Sequence, residues 1–370
     1  MIRSYKSKHI GSIISALAAS LLLGLASDCS FAADEQAALQ PWPKAAGAVF
    51  ALRNAHFATP RVTLDAKGRD LMAFECATRG RALFGRFYDL VCDGGSFCAR
   101  DAGTWVGLQV AKSGTFTIEL TLTSAETTPK TPGVVFAYGD DKGEDVALFQ
   151  DKTGLFLRLG TSQPVELFTQ EAGKSVHVLI ACDKDKWTAY RDGQPVKSGM
   201  LAAGAPVWGT RQLVMGAAWS GADPWRGRME AIAVFPRVLT AAEATCEAAA
   251  SRALQAVRKP ATTVCFKGTL ARQAKTASLK DIAPYTRSMT VAEYKVEKVL
   301  AGEWKQPTIS VMHWMIMDSK RLPIADRKPG TAVELKVERL EDHPQLESCR
   351  RDEIEGDVAT DLFYCESETE

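Results

Sequence analysis

Short segments in which apolar and polar residues alternate dominate this 370-residue chain. In residues 114–122, Phe116, Ile118, Leu120 and Leu122 lie on one face of a strand, and polar residues occupy the other face. This pattern predicts a half-buried strand with a polar outer face. Similar strands are predicted at 105–110, 133–138, 146–150, 154–159, 165–169, 175–182 and 212–217. Turn residues separate them, so the spacing predicts an antiparallel sandwich.

The most informative segment combines a turn, a core strand and the start of a helix within residues 219–243. Pro and Gly mark a turn at 223–227, and residues 229–235 carry apolar side chains on both faces, which is typical of a strand buried on both sides. Thr240 and Glu243 then form a Thr-x-x-Glu capping box. An alanine-rich helix is therefore predicted at 241–257, before Pro260.

Three motifs occur in a characteristic order: Phe-Thr-Ile-Glu-Leu at 116–120, Tyr-Arg-Asp-Gly at 190–193 and Trp-Arg-Gly-Arg-Met-Glu at 225–230. Over about residues 104–244 the chain resembles the laminin-G-like, concanavalin-type jelly rolls of secreted bacterial proteins. The resemblance implies an all-β, laminin-G/concanavalin-like jelly-roll sandwich with one C-terminal helix. It implies a fold more specifically than a function.

A second, smaller domain follows the helix. Its strands are predicted at 290–300, 308–317 and 332–340, and they favour a β-barrel or β-sandwich. This region resembles a small β-module of secreted bacterial proteins, and that resemblance implies no activity. The predicted organisation is a signal peptide at 1–33, a flexible lead at 34–48, the jelly roll at 49–257, a linker at 258–263 and the C-terminal β-domain at 264–370.

The first residues predict export. Arg3, Lys6 and Lys8 precede an apolar run at 10–26, and small residues at 32–33 suit signal-peptide cleavage. The alternative is an uncleaved membrane anchor, for which the run is short. After cleavage no membrane span is expected, and the predicted location is the bacterial periplasm or the extracellular space. With 45 basic and 44 acidic residues dispersed along the chain, no nucleic-acid partner is expected.

Cysteine usage fits an exported protein. One of the nine cysteines, Cys29, lies in the predicted signal peptide, which leaves an even number for disulfides. Short separations favour Cys92 with Cys98 and Cys349 with Cys365, and Cys246 with Cys265 would join the helix to the second domain. Other connectivities remain open.

No catalytic residues are predicted. A glycoside hydrolase needs two carboxyl groups on either side of the sugar. Glu230 and Glu119 are each isolated among apolar neighbours, and the chain has no serine-hydrolase or zinc-protease motif.

A ligand site is predicted at Trp219, Asp223, Trp225 and Arg226, because aromatic rings beside hydrogen-bonding groups suit a sugar. The structural alternative is that Trp225 packs on the sandwich and Asp223 only forms the turn.

No cofactor is certain. Calcium is possible because laminin-G-like domains often bind it, with carboxylate ligands in turn segments. Those candidate ligands are Asp140, Asp141, Asp145 and Asp151. The alternative there is solvated turn chemistry.

In the second domain, His313, Asp318 and His343 would form a polar cluster if the strands bring them together. The alternative is a buried histidine that is simply hydrogen-bonded.

The favoured hypothesis is a secreted or periplasmic, non-catalytic protein that binds a glycan or a cell-surface protein through its jelly roll. An enzyme acting on extracellular polysaccharide and a structural envelope protein are the alternatives.

Overall fold

The structure is a computed structural model that describes residues 42–52, 61–64, 69–74, 76–152, 154–201, 206, 208–347, 349–354 and 361–366. The predicted signal peptide and most of the predicted lead lie outside these residues. Among the described residues, no helix has both the length and the apolar character needed to cross a membrane.

The first part of the described chain consists of two facing β-sheets. In chain order its strands are β1 (Phe50–Leu52), β2 (Arg61–Leu64), β3 (Asp70–Ala73), β4 (Ala77–Arg79), β5 (Ala82–Phe84), β6 (Leu90–Asp93), β7 (Ser96–Ala99), β8 (Phe116–Ser124), β9 (Gly133–Asp140), β10 (Gly143–Asp151), β11 (Gly154–Leu159), β12 (Val165–Thr169), β13 (Ser175–Cys182), β14 (Lys186–Arg191), β15 (Gln194–Met200), β16 (Gln212–Met215) and β17 (Arg226–Phe235).

Sheet A has the order β15-β14-β13-β8-β17-β1-β2-β3, with β6 also paired to β17 and β5 paired to β6. Sheet B has the order β12-β11-β10-β9-β16-β7-β4. The core between them contains Ile118 and Leu120 from sheet A and Phe136 and Leu148 from sheet B. The alternation that predicted β8 therefore identified its core face correctly, and the predicted sandwich is confirmed.

One predicted strand is wrong. Residues 105–110 lie within helix α1 (Arg100–Ser113), which packs on sheet B. Ala102, Val106 and Val110 are buried at four-residue spacing, which is the period of a helix face. Gly107 allows close packing, since a Cβ at this position would lie 1.9 Å from the Gly209 carbonyl oxygen.

The outer face of sheet A is also covered, contrary to the polar, solvated face predicted for β8. Helix α2 (Ala241–Ala256) crosses it and begins with the predicted capping box of Thr240 and Glu243. Trp42 and Ala48 are buried in the same layer, so the part of the predicted flexible lead that the structure describes packs on the sandwich. This second apolar layer also contains Leu179 and Phe235.

The second domain is a barrel. Its strands are β18 (Thr263–Gln273), β19 (Ser288–Ala301), β20 (Thr308–Met317), β21 (Lys320–Arg321), β22 (Ala332–Arg339), β23 (Arg351–Asp352) and β24 (Leu362–Tyr364). Pairing of β20 with both β19 and β24 closes a ring of five strands, β20-β24-β22-β18-β19. A short helix α3 (Leu279–Ile282) and 3-10 turns at Pro323–Asp326, Leu340–Asp342 and Pro344–Leu346 complete it.

The two domains contact each other directly. Leu83 of β5 belongs to one buried apolar cluster with Met312 and Trp314 of the barrel. The Asp318 carboxylate accepts a hydrogen bond from Gly80 N at 3.0 Å, and the Arg287 guanidinium donates to the Ala82 carbonyl oxygen at 2.7 Å. The barrel therefore packs against the β4–β6 region of the jelly roll.

The structure contains none of the three predicted disulfides. The thiols in the predicted pairs include Cys92, Cys98, Cys246, Cys265 and Cys349. Cys92 points into the sandwich core from sheet A, whereas Cys98 Sγ lies 2.7 Å from Gln212 Oε1 on sheet B. Cys246 is exposed on α2, and Cys265 belongs to the barrel. Short sequence separation fails as a guide here because β6 and β7 belong to different sheets.

Candidate functional site

The outer face of sheet B carries a stacked aromatic pair. Phe149 of β10 and Phe156 of β11 are cross-strand partners, with ring centroids 5.5 Å apart and planes inclined by 14°. Both rings are partly exposed. Val146 and Leu148 point into the core, so alternation along β10 turns Phe149 outward. The pair forms a flat apolar surface of the kind on which a sugar ring can stack.

Charged side chains lie on the neighbouring part of this face. Arg158 Nη2 is 2.8 Å from Glu144 Oε2, and both side chains are partly exposed. The other oxygen of Glu144 accepts a hydrogen bond from Trp219 N at 3.2 Å. Ala218, which precedes Trp219, packs with the residues that support Phe149. We refer to Glu144, Phe149, Phe156, Arg158 and Trp219 as the sheet B face.

Trp219 is the only predicted ligand residue that belongs to this face. Its carbonyl oxygen accepts from Arg79 Nη1 at 3.0 Å, which fixes the loop that carries it. Its indole nitrogen has no hydrogen-bond partner among the residues that the structure describes. Trp219 as a whole is partly exposed, although its indole nitrogen is buried.

The other predicted ligand residues have different roles. Trp225 is only 2% exposed, and its indole donates to Gln150 Oε1 at 2.9 Å inside the core. Asp223 is exposed in a left-handed turn, with a φ of 51°, and Arg226 is exposed near Asp93 and Glu126. The structural alternative considered for Trp225 therefore describes its position, since a buried indole offers no surface to a sugar.

The four aspartates proposed for calcium are not gathered around one point. The Arg211 guanidinium lies between two of them, with Nη1 3.3 Å from Asp140 Oδ1 and Nε 2.8 Å from Asp145 Oδ2. Asp141 is exposed at the turn, and Asp151 ends the same strand that begins near Asp145. Within the described ranges, no group of three or more His, Cys, Asp and Glu side chains is arranged to hold a metal ion.

A buried acidic cluster that the sequence did not predict lies between sheet A and α2. Glu119, His177 and Glu247 are all removed from solvent. His177 Nε2 is 2.8 Å from Glu119 Oε1, and the Trp42 indole donates to the same oxygen at 3.2 Å. Burial raises the pKa of Glu119 to about 8 and lowers that of His177 to about 4. Burial and the nearby Glu119 raise the pKa of Glu247 to about 7.

A sequence signal for this cluster exists in hindsight. Glu247 and Ser251 lie four residues apart on the stripe of α2 that also contains Ala244 and Ala248. Polar residues on an otherwise apolar helix stripe indicate buried polar partners, and Ser251 Oγ indeed lies 2.7 Å from Thr121 Oγ1. The cluster has proton-transfer groups, yet α2 and the Trp42 segment cover it.

The predicted cluster in the second domain is not formed. His313 is buried in the barrel, with Nε2 3.0 Å from the Tyr294 hydroxyl. His343 contacts Glu338 at 3.0 Å and Gln345 at 3.1 Å in the 3-10 region. Asp318 is engaged with Gly80 in the domain contact. Strand β20 is the reason for the separation, since it places His313 and Asp318 at different levels of the barrel.

Comparison with known proteins finds a family match for part of the first domain. Residues 100–245 match the family model of the concanavalin A-like lectin/glucanases superfamily. A search of the curated proteins finds no match.

Several solved structures are similar at low identity. Trypanosoma rangeli sialidase, in complex with 2,3-difluoro-KDN, shares 20% identity over 56% of this chain and 33% of its own, with a TM-score of 0.44. This chain thus spans about a third of the sialidase. Domain 4 of an extracellular GH43 arabinanase from Geobacillus stearothermophilus, in complex with arabinotriose, shares 17% identity over 45% of this chain and 80% of its own, with a TM-score of 0.36.

The receptor binding domain of botulinum neurotoxin mosaic serotype C/D shares 10% identity over 79% of this chain and 70% of its own, with a TM-score of 0.44. These similarities are too remote to say what this chain binds. The family match covers α1, strands β8 to β17 and the start of α2, whereas β1 to β7 lie before it. The family model matches residues 100–245, in agreement with the laminin-G-like resemblance that the sequence motifs predicted.

Proposed function

We propose that the jelly-roll domain is a non-catalytic glycan-binding module and that its ligand lies on the sheet B face. The observation that carries this proposal is the partly exposed stack of Phe149 and Phe156 beside the Glu144–Arg158 ion pair. An apolar platform next to fixed donors and acceptors matches the two surfaces of a sugar, its flat C–H face and its ring of hydroxyls. Membership of a superfamily that includes lectins supports the same proposal.

Each group on this face has a role in the proposed site. Phe149 and Phe156 would stack on one sugar ring, and Arg158 would donate to its hydroxyls. Glu144 would accept from a hydroxyl while remaining fixed by Arg158 and by Trp219 N. The indole N–H of Trp219 is buried and has no hydrogen-bond partner among the described residues, so it would donate to a sugar only after the ring turns outward.

The arrangement of carboxyl groups supports binding over hydrolysis. A glycosidase presents two carboxyl groups to one glycosidic bond, about 5–10 Å apart. Glu144 is neutralised by Arg158 on the sheet B face. Glu119 and Glu247, which have the raised pKa values of proton donors, lie under α2 where no substrate has access.

The remaining parts of the function rest on the sequence. The basic and apolar pattern of residues 3–33 supports a protein exported to the periplasm or the extracellular space. Its glycan would then belong to a cell surface or an extracellular polysaccharide. The barrel, packed on the β4–β6 side of the jelly roll, leaves the sheet B platform on β10 and β11 open and would act as an interaction or positioning unit.

The test is a glycan array with the purified protein, compared with Phe156→Ala and Arg158→Gln. We expect each variant to bind its best glycan about tenfold or more weakly, as expected for loss of a stacking surface or a charged hydrogen bond. Addition of calcium or a chelator to the same array tests the calcium prediction separately.

Two matched controls keep this test specific. Arg272→Gln removes another partly exposed cross-strand ion pair, Arg272–Glu293, from the barrel. Tyr285→Ala removes an exposed aromatic ring from the same domain. Both should bind glycans like the parent protein. Binding that survives Phe156→Ala and Arg158→Gln, or a parent protein that binds no glycan, would contradict the proposal.

A further inference from the structure

A pocket of about 240 Å³ lies where the barrel meets the jelly roll. The jelly roll contributes Leu83 and Phe84, and the barrel contributes the rest. The barrel residues that matter here are Tyr285, Arg287, Trp314, Gln345, Leu346 and Arg350. The walls thus combine aromatic and aliphatic side chains with two guanidinium groups, and no carboxylate is among the lining residues.

Arg287 is the unusual group in this pocket. It is partly buried, and it has no ion-pair partner within 4.0 Å among the described residues. One N–H donates to the Ala82 carbonyl oxygen, while the nearest acidic group, Asp318, acts only at longer range and is itself bound to Gly80 N. A guanidinium has five N–H donors, so most of its capacity is unused. A partly buried guanidinium with one protein acceptor among the described residues has donors left over that suit an anion.

Other lining groups give the pocket two ends. Arg350 is exposed at the rim and touches Asp352 at 3.3 Å, outside the pocket lining. Phe84, Trp314 and Leu346 form an apolar wall. The Trp314 indole is already satisfied by the Tyr364 hydroxyl at 3.1 Å, so this ring presents only apolar surface. An occupant would therefore need a negative end near the arginines and an apolar body against the rings.

From this arrangement we propose that the interdomain pocket binds a small carboxylate with an apolar body, such as an aryl or short acyl acid. The carboxylate would accept from Arg287 and Arg350, and the body would pack on Phe84 and Trp314. The volume is below the roughly 300–1,000 Å³ typical of pockets for drug-sized ligands, so the ligand is small. Among the described residues, the charged side chains that line the pocket are Arg287 and Arg350, which suit a carboxylate and would repel an ammonium group.

Occupancy would couple the two domains. Because both domains supply walls, a ligand that fills the pocket binds the docked arrangement and not the separated one. Carboxylate binding should therefore stabilise the domain contact as well as the barrel. This role is independent of glycan binding, since none of the sheet B face residues lines the pocket.

The experiment is calorimetric titration of the full chain with benzoate, phenylacetate and hexanoate, each beside its uncharged amide. We expect saturable binding of at least one carboxylate and about tenfold weaker binding of its amide, because the amide cannot form the charge-assisted hydrogen bonds. Arg350→Gln should weaken carboxylate binding by about the same factor. Arg351→Gln, the adjacent arginine that does not line this pocket, should not.

A second variant guards against misfolding. Tyr285→Ala changes an exposed rim residue, so the fold should persist while carboxylate affinity falls. Bound ligand should also raise the thermal midpoint of the parent protein but not of Arg350→Gln. Equal binding of carboxylate and amide, unchanged affinity in both pocket variants, or no saturable binding of any of the three acids would overturn the proposal.

Discussion

His177 Nε2 lies 2.8 Å from Glu119 Oε1, and both side chains are almost completely buried. The two residues are diagonal neighbours on β13 and β8, since His177 lies opposite Thr121, and both are on the side of sheet A that α2 covers. Burial raises the pKa of Glu119 and lowers that of His177, so both groups are neutral at the pH between these values. The pair therefore links β13 to β8 beneath the covering layer as a neutral hydrogen bond and not as an ion pair.

This relationship predicts a stability that falls as the pH rises above 6.5. The pKa of Glu119 is about 8 in the folded protein and 4.5 in the unfolded chain, so its stabilising contribution is complete below pH 4.5 and lost as the pH rises to about 8. Glu247, with a pKa raised to about 7, acts in the same direction. Urea denaturation across this range should show a decreasing free energy of unfolding.

On the acid side the sign is reversed. The folded pKa of His177 is about 4 and its ordinary value is 6.5, so its contribution is complete above pH 6.5 and lost as the pH falls to about 4. Between pH 4.5 and 6.5 the stabilising contribution of Glu119 decreases as the pH rises, whereas that of His177 increases. The effect of Glu119 on the free energy of unfolding is therefore clearest above pH 6.5.

The variant Glu119→Gln tests how much Glu119 contributes to this pH dependence of the free energy of unfolding. A neutral amide keeps an oxygen that can accept from Trp42 and stays within reach of His177, but it does not ionise. We expect the variant to lose less stability than the parent between pH 6.5 and about 8. A pH profile that is unchanged by Glu119→Gln would show that this carboxyl group is already ionised.

Glu247 is predicted to hold the N-terminal segment on α2. Its carboxylate accepts from Lys44 N at 3.1 Å and also from Ala45 N. Glu247→Ala removes both acceptors, so the amide protons of these two residues should exchange faster with solvent. Hydrogen exchange measured residue by residue tests this.

Ser251→Ala is the matched control, since Ser251 lies one turn further along α2 and contacts Thr121 instead of the segment. It should destabilise the protein by about 1 kcal/mol while leaving exchange at Lys44 and Ala45 unchanged relative to the rest of the chain. If both variants changed hydrogen exchange at Lys44 and Ala45 equally, Glu247 would not bind this segment specifically.

Local residue patterns predicted several elements correctly. The capping box at Thr240 and Glu243 is formed, and the Asp192-Gly193 hairpin joins β14 to β15. Strand β17 is buried on both faces, as its apolar residues predicted. These features depend on neighbouring residues along the chain, which is why a single sequence reveals them.

Features that depend on distant segments were missed. The alternation in β8 identified an apolar and a polar face, but it did not show that α2 buries Glu119 on the polar one. The sequence around Trp225 is compatible both with a ring that stacks on a ligand and with a ring that donates to Gln150 in the core, so the sequence does not distinguish the two roles. For the candidate site, the sequence identified Trp219 but not Phe149 and Phe156, because cross-strand register brings those rings together.

Helix α1 offers a direct test of the packing that overturned a predicted strand. In Gly107→Ala the new methyl carbon would meet the Gly209 carbonyl oxygen and, at 2.0 Å, the Tyr138 hydroxyl. We expect a loss of about 1–3 kcal/mol, or more, because α1 must shift away from sheet B. Chemical denaturation measures it. Leu108→Ala, on the exposed side of the same helix, should change stability by no more than about 0.5 kcal/mol, and a similar cost for both would argue against this packing.

The domain contact depends on Arg228, which belongs to the jelly roll but binds a carboxylate from the end of the barrel. Its guanidinium lies 2.9 Å from Asp89 Oδ2 and also contacts Glu366. Arg228→Gln would leave the buried Asp89 carboxylate without its charged partner and remove the link to Glu366, so we expect the free energy of unfolding to fall by about 1–2 kcal/mol.

We also expect faster proteolysis of the segment at 258–262, because the barrel would separate from the jelly roll more often. Arg81→Gln, which breaks an exposed ion pair with Asp93 inside the jelly roll, should leave the rate of proteolysis at that segment unchanged. If Arg228→Gln lowers stability without faster cleavage there, Arg228 stabilises the jelly roll alone and the domains are held by the apolar cluster of Leu83, Met312 and Trp314.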